Sequence, residues 1–82
     1  MGTRETAEQV LAGLGGGDNI VELEPCITRL RVELKDRSKL DEDALKKAGA
    51  HGVMKMGDAI QVVMGPKSDN IEAAMRDIME GE

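Results

Sequence analysis

Thr28-Arg29-Leu30-Arg31-Val32-Glu33-Leu34-Lys35 alternates apolar and charged side chains. Successive residues of a strand point to opposite faces, so the run predicts a half-buried β-strand with Leu30, Val32 and Leu34 toward a core. Arg29, Arg31, Glu33 and Lys35 then share the other face. Arg29 and Arg31 stand roughly 6.5–7 Å apart along such a strand, a spacing at which both guanidiniums converge on one tetrahedral anion. Just upstream, Asn19 to Leu23 is a short β-type run that leads into Glu24-Pro25-Cys26. Pro25 fixes its own φ and biases Glu24 away from helix, which predicts a turn with Cys26 at its apex.

Working outward, Ala7, Val10, Leu11 and Leu14 form one stripe of an amphipathic helix that Thr3 is placed to cap and Gly15-Gly16-Gly17 to end. After the central strand, Ser38 and Asp41 have the spacing of a capping box for a short helix through Leu45 and Ala48, with Lys46 and Lys47 in its last turn and Gly49 as the stop. Val53 to Met56 and Ala59 to Met64 are β-rich runs joined at Gly57-Asp58, a hairpin signal. Gly65-Pro66-Lys67 breaks the second run, and Ser68 is placed to cap a final helix whose apolar stripe is Ile71, Met75, Ile78 and Met79. The order αββαββα predicts an α+β fold, a four-stranded, mainly antiparallel sheet with three helices on one face.

The chain has 82 residues, enough for one small domain and one core, so residues 1–82 read as a single free-standing unit. With no Phe, Tyr or Trp, that core must be built from Leu, Ile, Val, Ala and the 6 Met. The same lack removes base stacking, and a formal net charge of −5 repels phosphate backbones, so a nucleic-acid partner is excluded. Positive charge is concentrated between residues 29 and 37. One cysteine makes no internal disulfide, and no Cys/His cluster has zinc-ligand spacing, so no metal is expected and a reducing compartment fits. No secretory leader and no apolar run approaching the ~20 residues of a spanning helix is present.

Cys26 lies within five residues of Arg29, Arg31 and the Thr28 hydroxyl. Neighbouring positive charge favours the thiolate, the nucleophilic form of cysteine, and guanidiniums bind phosphate bidentately. The residues alone leave open that Cys26 is a small buried hydrophobe, as most free cysteines are. The run Cys26-Ile27-Thr28-Arg29-Leu30-Arg31, however, closely resembles the phosphorylation-site signature of the enzyme IIB domain of the bacterial sugar phosphotransferase system, glucose and N-acetylglucosamine type. The resemblance continues through Leu45-Lys46-Lys47-Ala48-Gly49-Ala50, Gln61-Val62-Val63 and Gly65-Pro66-Lys67-Ser68.

That resemblance implies a cytoplasmic phosphoryl carrier working at the inner face of the cell membrane. It would accept phosphate at Cys26 from a phosphohistidine on enzyme IIA and pass it to a sugar bound by the IIC permease. No cofactor is implied. Thr28, Arg29 and Arg31 would steady the phosphate together with the turn amides of Ile27, Thr28 and Arg29, and Gln61 matches a glutamine near the family's phosphorylation site. The tail Val62-Val63-Met64-Gly65-Pro66 leans toward N-acetylglucosamine-type members. Pro25 departs from many relatives, which carry a small or polar residue there.

Two rival functions remain. A cysteine phosphatase needs Arg six positions after its cysteine, where this chain has Val32. A non-catalytic ligand-binding or interaction module would leave Cys26 incidental. His51, in a glycine-flanked stretch, reads as a loop residue rather than a phosphohistidine, and the methionines as core rather than a copper motif.

Overall fold

The alternating run forms a strand in the computed structural model, which describes residues 2–57 and 59–81. This strand, β2 (Arg29–Leu34), buries Leu30, Val32 and Leu34 and leaves Arg29, Arg31 and Glu33 half-buried on the opposite face. Around it lie α1 (Thr3–Gly13), β1 (Ile20–Cys26), α2 (Glu42–Lys47), β3 (Gly52–Met56), β4 (Ala59–Val63) and α3 (Ser68–Gly81), the expected αββαββα order. The strands run β1-β2-β4-β3 across one sheet, and every neighbouring pair is antiparallel.

The core is one apolar cluster between sheet and helices. Ala7, Val10, Leu11 and Leu14 of the first helical segment, Leu45 of α2, and Ile71 and Met75 of α3 pack with Leu30, Val32, Ile60 and Val62 of the central strands. Ile78 is only partly buried and Met79 is exposed, so the α3 stripe is narrower at its C-terminal end. Arg76 ties α3 to the sheet margin by donating from its guanidinium to the Leu23 carbonyl and to Glu72. Glu72's carboxylate pushes the Arg76 pKa up, which keeps that cation fixed. At the other margin, Lys55 of β3 pairs with Glu42 of α2 at 2.9 Å.

Local expectations fail at several places, each for a physical reason. Pro25 does not break the chain: β1 continues through it to Cys26, with Pro25 opposite Leu30 and Cys26 opposite Arg29. β1 is a sheet edge, where a residue without an N–H costs no ladder bond if that side faces outward. Cys26 is therefore the last strand residue, and the turn apex belongs to Ile27 and Thr28. Thr3 is already inside α1, whose N-cap is Gly2 without a side-chain bond.

Ser38 is not the cap of α2. It sits in a 3₁₀ turn (Arg37–Lys39) capped by Asp36, which accepts from its amide and hydroxyl, while Asp41 caps α2 by accepting from the Ala44 amide at 3.1 Å. A carboxylate is the stronger acceptor at both sites. The bonds from Ser38 hold the Asp36 carboxyl below its usual range. Ser68, too, caps nothing. The 3₁₀ turn Gly65–Lys67 runs straight into α3, so Ser68 is already helical and its buried hydroxyl donates back to the Gly65 carbonyl at 2.8 Å.

Asn19, expected to open the first β-run, lies instead in a 3₁₀ turn (Gly17–Asn19) before β1 and is the buried polar hub of the α1–β1 connection. Its side-chain amide donates to the Leu14 and Asp36 carbonyls and its oxygen accepts from the Asp36 amide, which leaves no buried dipole unpaired.

Candidate functional site

Register builds the site. Residues directly opposite across an antiparallel pair lie on the same sheet face. Cys26, Arg29, Val63 and Gly52 therefore form one row across the four strands, and Glu24, Arg31, Gln61 and Met54 form the next. These rows are on the face that the helices leave open, because the core residues Leu30, Val32, Ile60 and Val62 point the other way. The thiol of Cys26 is exposed, which removes the reading of it as a packed hydrophobe.

Arg29 and Arg31 stand beside it, half-buried and hence restricted in their stems. Arg29 reaches diagonally across β4 and donates from Nη1 to the Gln61 side-chain oxygen at 2.8 Å. Gln61 itself lies opposite Arg31. The glutamine thus touches one arginine and neighbours the other.

The loop between β1 and β2 has only two residues, Ile27 and Thr28, both exposed. Ile27 has φ +58°, the left-handed region in which a β-branched side chain is an outlier. Such a conformation costs about 1–3 kcal/mol and persists only where its surroundings over-determine it. Here they do: the Thr28 carbonyl accepts from the amides of both Met64 (3.1 Å) and Gly65 (2.9 Å), which clamps the loop to the exit of β4. Gly65 offers its amide from φ +84°, a position suited to glycine.

All the predicted residues, Cys26, Ile27, Thr28, Arg29, Arg31 and Gln61, therefore gather at one end of the open sheet face. The clamp of Met64 and Gly65 on Thr28 was not foreseen, since nothing in their residue types marks a backbone donor. His51 is exposed, and its amide donates to the Val63 carbonyl at 2.8 Å. It borders Gly65, on whose side a β-carbon would stand 3.6 Å from the imidazole Nε2. That places it at the same sheet end but at the far strand from Cys26. Among the described residues no three His, Cys, Asp or Glu side chains are grouped to hold a metal ion, and no helix is long and apolar enough to cross a membrane.

Known proteins resemble the chain in sequence and in fold. Residues 8–41 match the family described as phosphotransferase system, EIIB. The chain is 60% identical over 73 residues to the PTS system N-acetylglucosamine-specific EIIB component of Streptomyces coelicolor, a match covering 89% of this chain and 95% of that protein. It also superimposes with a TM-score of 0.79, at 28% identity, on the crystal structure of one domain of the PTS system IIabc component from Clostridium difficile, covering 94% of this chain and 81% of that one.

Proposed function

The chain belongs to the EIIB family of the sugar phosphotransferase system, glucose and N-acetylglucosamine type, and from that premise we propose that Cys26 is its phosphoryl carrier. The observation that carries the proposal is an exposed thiol in one row with Arg29 and beside Arg31, on a sheet face that no helix covers.

In the first half-reaction the Cys26 thiolate attacks the phosphorus of a phosphohistidine on a IIA protein. An S–P bond forms and the N–P bond breaks, with the imidazole leaving on its electron pair and taking up a proton. In the second, a sugar hydroxyl oxygen held by a IIC permease attacks the same phosphorus. An O–P bond forms, the S–P bond breaks and the thiolate departs, while the hydroxyl proton passes to a base or to water. Thiolate is a better leaving group than alkoxide, so transfer to the sugar runs downhill. The carrier mainly has to position and shield a dianion.

In this reading the amides of Ile27, Thr28 and Arg29 and the Thr28 hydroxyl would donate to that dianion at the loop, and the guanidiniums of Arg29 and Arg31 would supply planar paired donors. Gln61 acts on the phosphate site through its bond to Arg29. N-acetylglucosamine is the proposed sugar, on the strength of the 60%-identical relative. The chain would then work in the cytoplasm against the membrane-bound permease.

Mass spectrometry after incubation with a phosphotransferase donor system tests the reading. A carrier gains one phosphoryl group, which Cys26→Ser abolishes and whose phosphorus NMR shift and iodine lability mark a thiophosphate. A phosphatase would release inorganic phosphate, and a binding module would do neither. Label retained on His51 in Cys26→Ser would overturn the assignment.

A further inference from the structure

Two backbone carbonyls in series, each accepting two hydrogen bonds, join the start of α3 to the strand that carries Arg29. The Thr28 carbonyl takes the amides of Met64 (3.1 Å) and Gly65 (2.9 Å). The Gly65 carbonyl takes the backbone amide of Ser68 and, at 2.8 Å, its hydroxyl. The buried polar side chains among the described residues are Asn19 and Ser68. Asn19 pairs buried backbone groups of Leu14 and Asp36. The Ser68 hydroxyl instead adds a second donor to a carbonyl that the helix backbone already serves, so its removal leaves no buried group unpaired. A hydroxyl is costly to bury, and this one answers no need of the fold.

We propose that Ser68 is a positioning residue for phosphoryl transfer, acting through Gly65 on the peptide that joins Thr28 to Arg29, a proposal that rests on the reading of Cys26 as phosphoryl carrier. Gly65 stands at φ +84° and has no β-carbon to restrict its own backbone. Its two peptide planes are therefore held from outside, the carbonyl by Ser68 and the amide by Thr28. The Thr28–Arg29 peptide is planar and trans, so its C=O and N–H point in opposite directions. A carbonyl held toward the exit of β4 turns the Arg29 amide toward β1, because β2 lies between those two strands. β1 is the strand that ends in Cys26. The backbone from which the Arg29 guanidinium reaches out is thus set, two hydrogen-bonded links away, by Ser68. Small misplacements of this kind are costly in transfer chemistry even when they arise far from the reacting atoms.

Ser68→Ala removes the hydroxyl at nearly constant volume. Ser68→Thr is the rescue, since a threonine hydroxyl in a helix bonds the carbonyl of the preceding turn. Single-turnover transfer from phosphorylated IIA to Cys26, and from Cys26 to N-acetylglucosamine on permease membranes, is measured for each variant. Amide hydrogen exchange at Gly65 and thermal melting are followed alongside.

Ser68→Ala should slow transfer at saturating partner about tenfold, with KM for IIA within about twofold of the parent's because the docking face is untouched. Exchange at the Gly65 amide should quicken relative to the amides of β4, while the melting temperature stays close to the parent's. Ser68→Thr should recover most of the rate. Parental transfer rates in Ser68→Ala would overturn the proposal and leave the carrier reading intact. So would a Ser68→Ala chain that fails to fold, which would make the hydroxyl part of the core, or a raised KM for IIA at unchanged maximal rate. A parent chain that takes no phosphoryl group at Cys26 would instead overturn the carrier reading, and this one with it.

Discussion

The two hairpins solve the same turning problem with opposite residues. At the β3–β4 end, Gly57 adopts φ +62° and a β-carbon there would meet nothing within 4 Å, so the glycine is present for its backbone alone. At the β1–β2 end, which lies at the opposite edge of the sheet by register, the same conformation is forced on Ile27. The forced loop is also the anchored one, through two amides donated to the Thr28 carbonyl. Strain therefore collects next to the thiol, where a fixed loop has chemical use, while at the described residue of the other loop glycine takes the same φ without it.

If the first hairpin is held from outside itself, removing its support should cost most. α3 packs on α1 and β1 and carries Arg76 onto the Leu23 carbonyl. Ile71 is almost fully buried in the shared core, and Ile71→Ala should lose ~2–5 kcal/mol of stability, a large share of what such a domain has. Hydrogen exchange should rise further in β1 than in β3. A melting temperature equal to the parent's would show α3 to be peripheral and both hairpins self-supporting.

The next effect separates the hairpins by function. Arg29→Lys and Arg31→Lys keep charge but lose the planar fork that holds two phosphate oxygens. Each should slow phosphoryl transfer to sugar by about 10- to 100-fold, that is ~1.4–2.7 kcal/mol of barrier. Acceptance at Cys26 should persist, because it needs chiefly a reachable thiolate. Met54→Ala, on the same open face of the second hairpin, should leave both half-reactions near parental rates. Single-turnover assays of the two steps decide it, and full sugar phosphorylation by both lysine variants would make the arginines a solvated face.

Much of this division was legible in the sequence. Period-two alternation placed β2 and its two faces, and glycine punctuation placed the C-terminal end of α2 and the second hairpin, although Asp58 of its turn lies outside the described residues. Pro25 misled because a proline's effect depends on whether its missing N–H faces a neighbour, and only topology reveals that β1 is an edge. Ser38 and Ser68 misled because capping goes to the best acceptor with the right backbone, and Asp41 and the 3₁₀ turn before α3 changed both. At the site, the residue types pointed to phosphate, but the ties that aim them, Gln61 to Arg29 and Met64 and Gly65 to Thr28, join segments more than thirty residues apart. Local pattern carries no information about such pairs.

Exchanging the loop residues tests the comparison directly. Gly57→Ile introduces the strain of a left-handed β-branched residue, about 1–2 kcal/mol, and recovers roughly 0.5–1 kcal/mol because the unfolded chain is less free than with glycine. A net loss of roughly 1 kcal/mol is expected, with no steric contribution since the position is open. Urea denaturation should show a lower midpoint at unchanged slope. Sugar phosphorylation should be untouched at temperatures well below the melt. A Gly57→Ile protein as stable as the parent would mean that this loop can relax out of the left-handed region, and that φ at Gly57 is not demanded by the hairpin.

The smallest effect is the reverse exchange. In Ile27→Gly the same terms change sign: about 1–2 kcal/mol of strain is released, and roughly 0.5–1 kcal/mol returns as extra freedom in the unfolded chain. Little burial is lost, because the side chain is 85% exposed. The net is a gain of up to about 1.5 kcal/mol, or several degrees in melting temperature for a domain of this size. A change that stabilises the protein at this loop is what a residue held in strained backbone, at the fold's expense, should produce. A destabilised Ile27→Gly would break the parallel between the loops, since it would show that the isoleucine side chain supports its own hairpin in a way that nothing at Gly57 needs to.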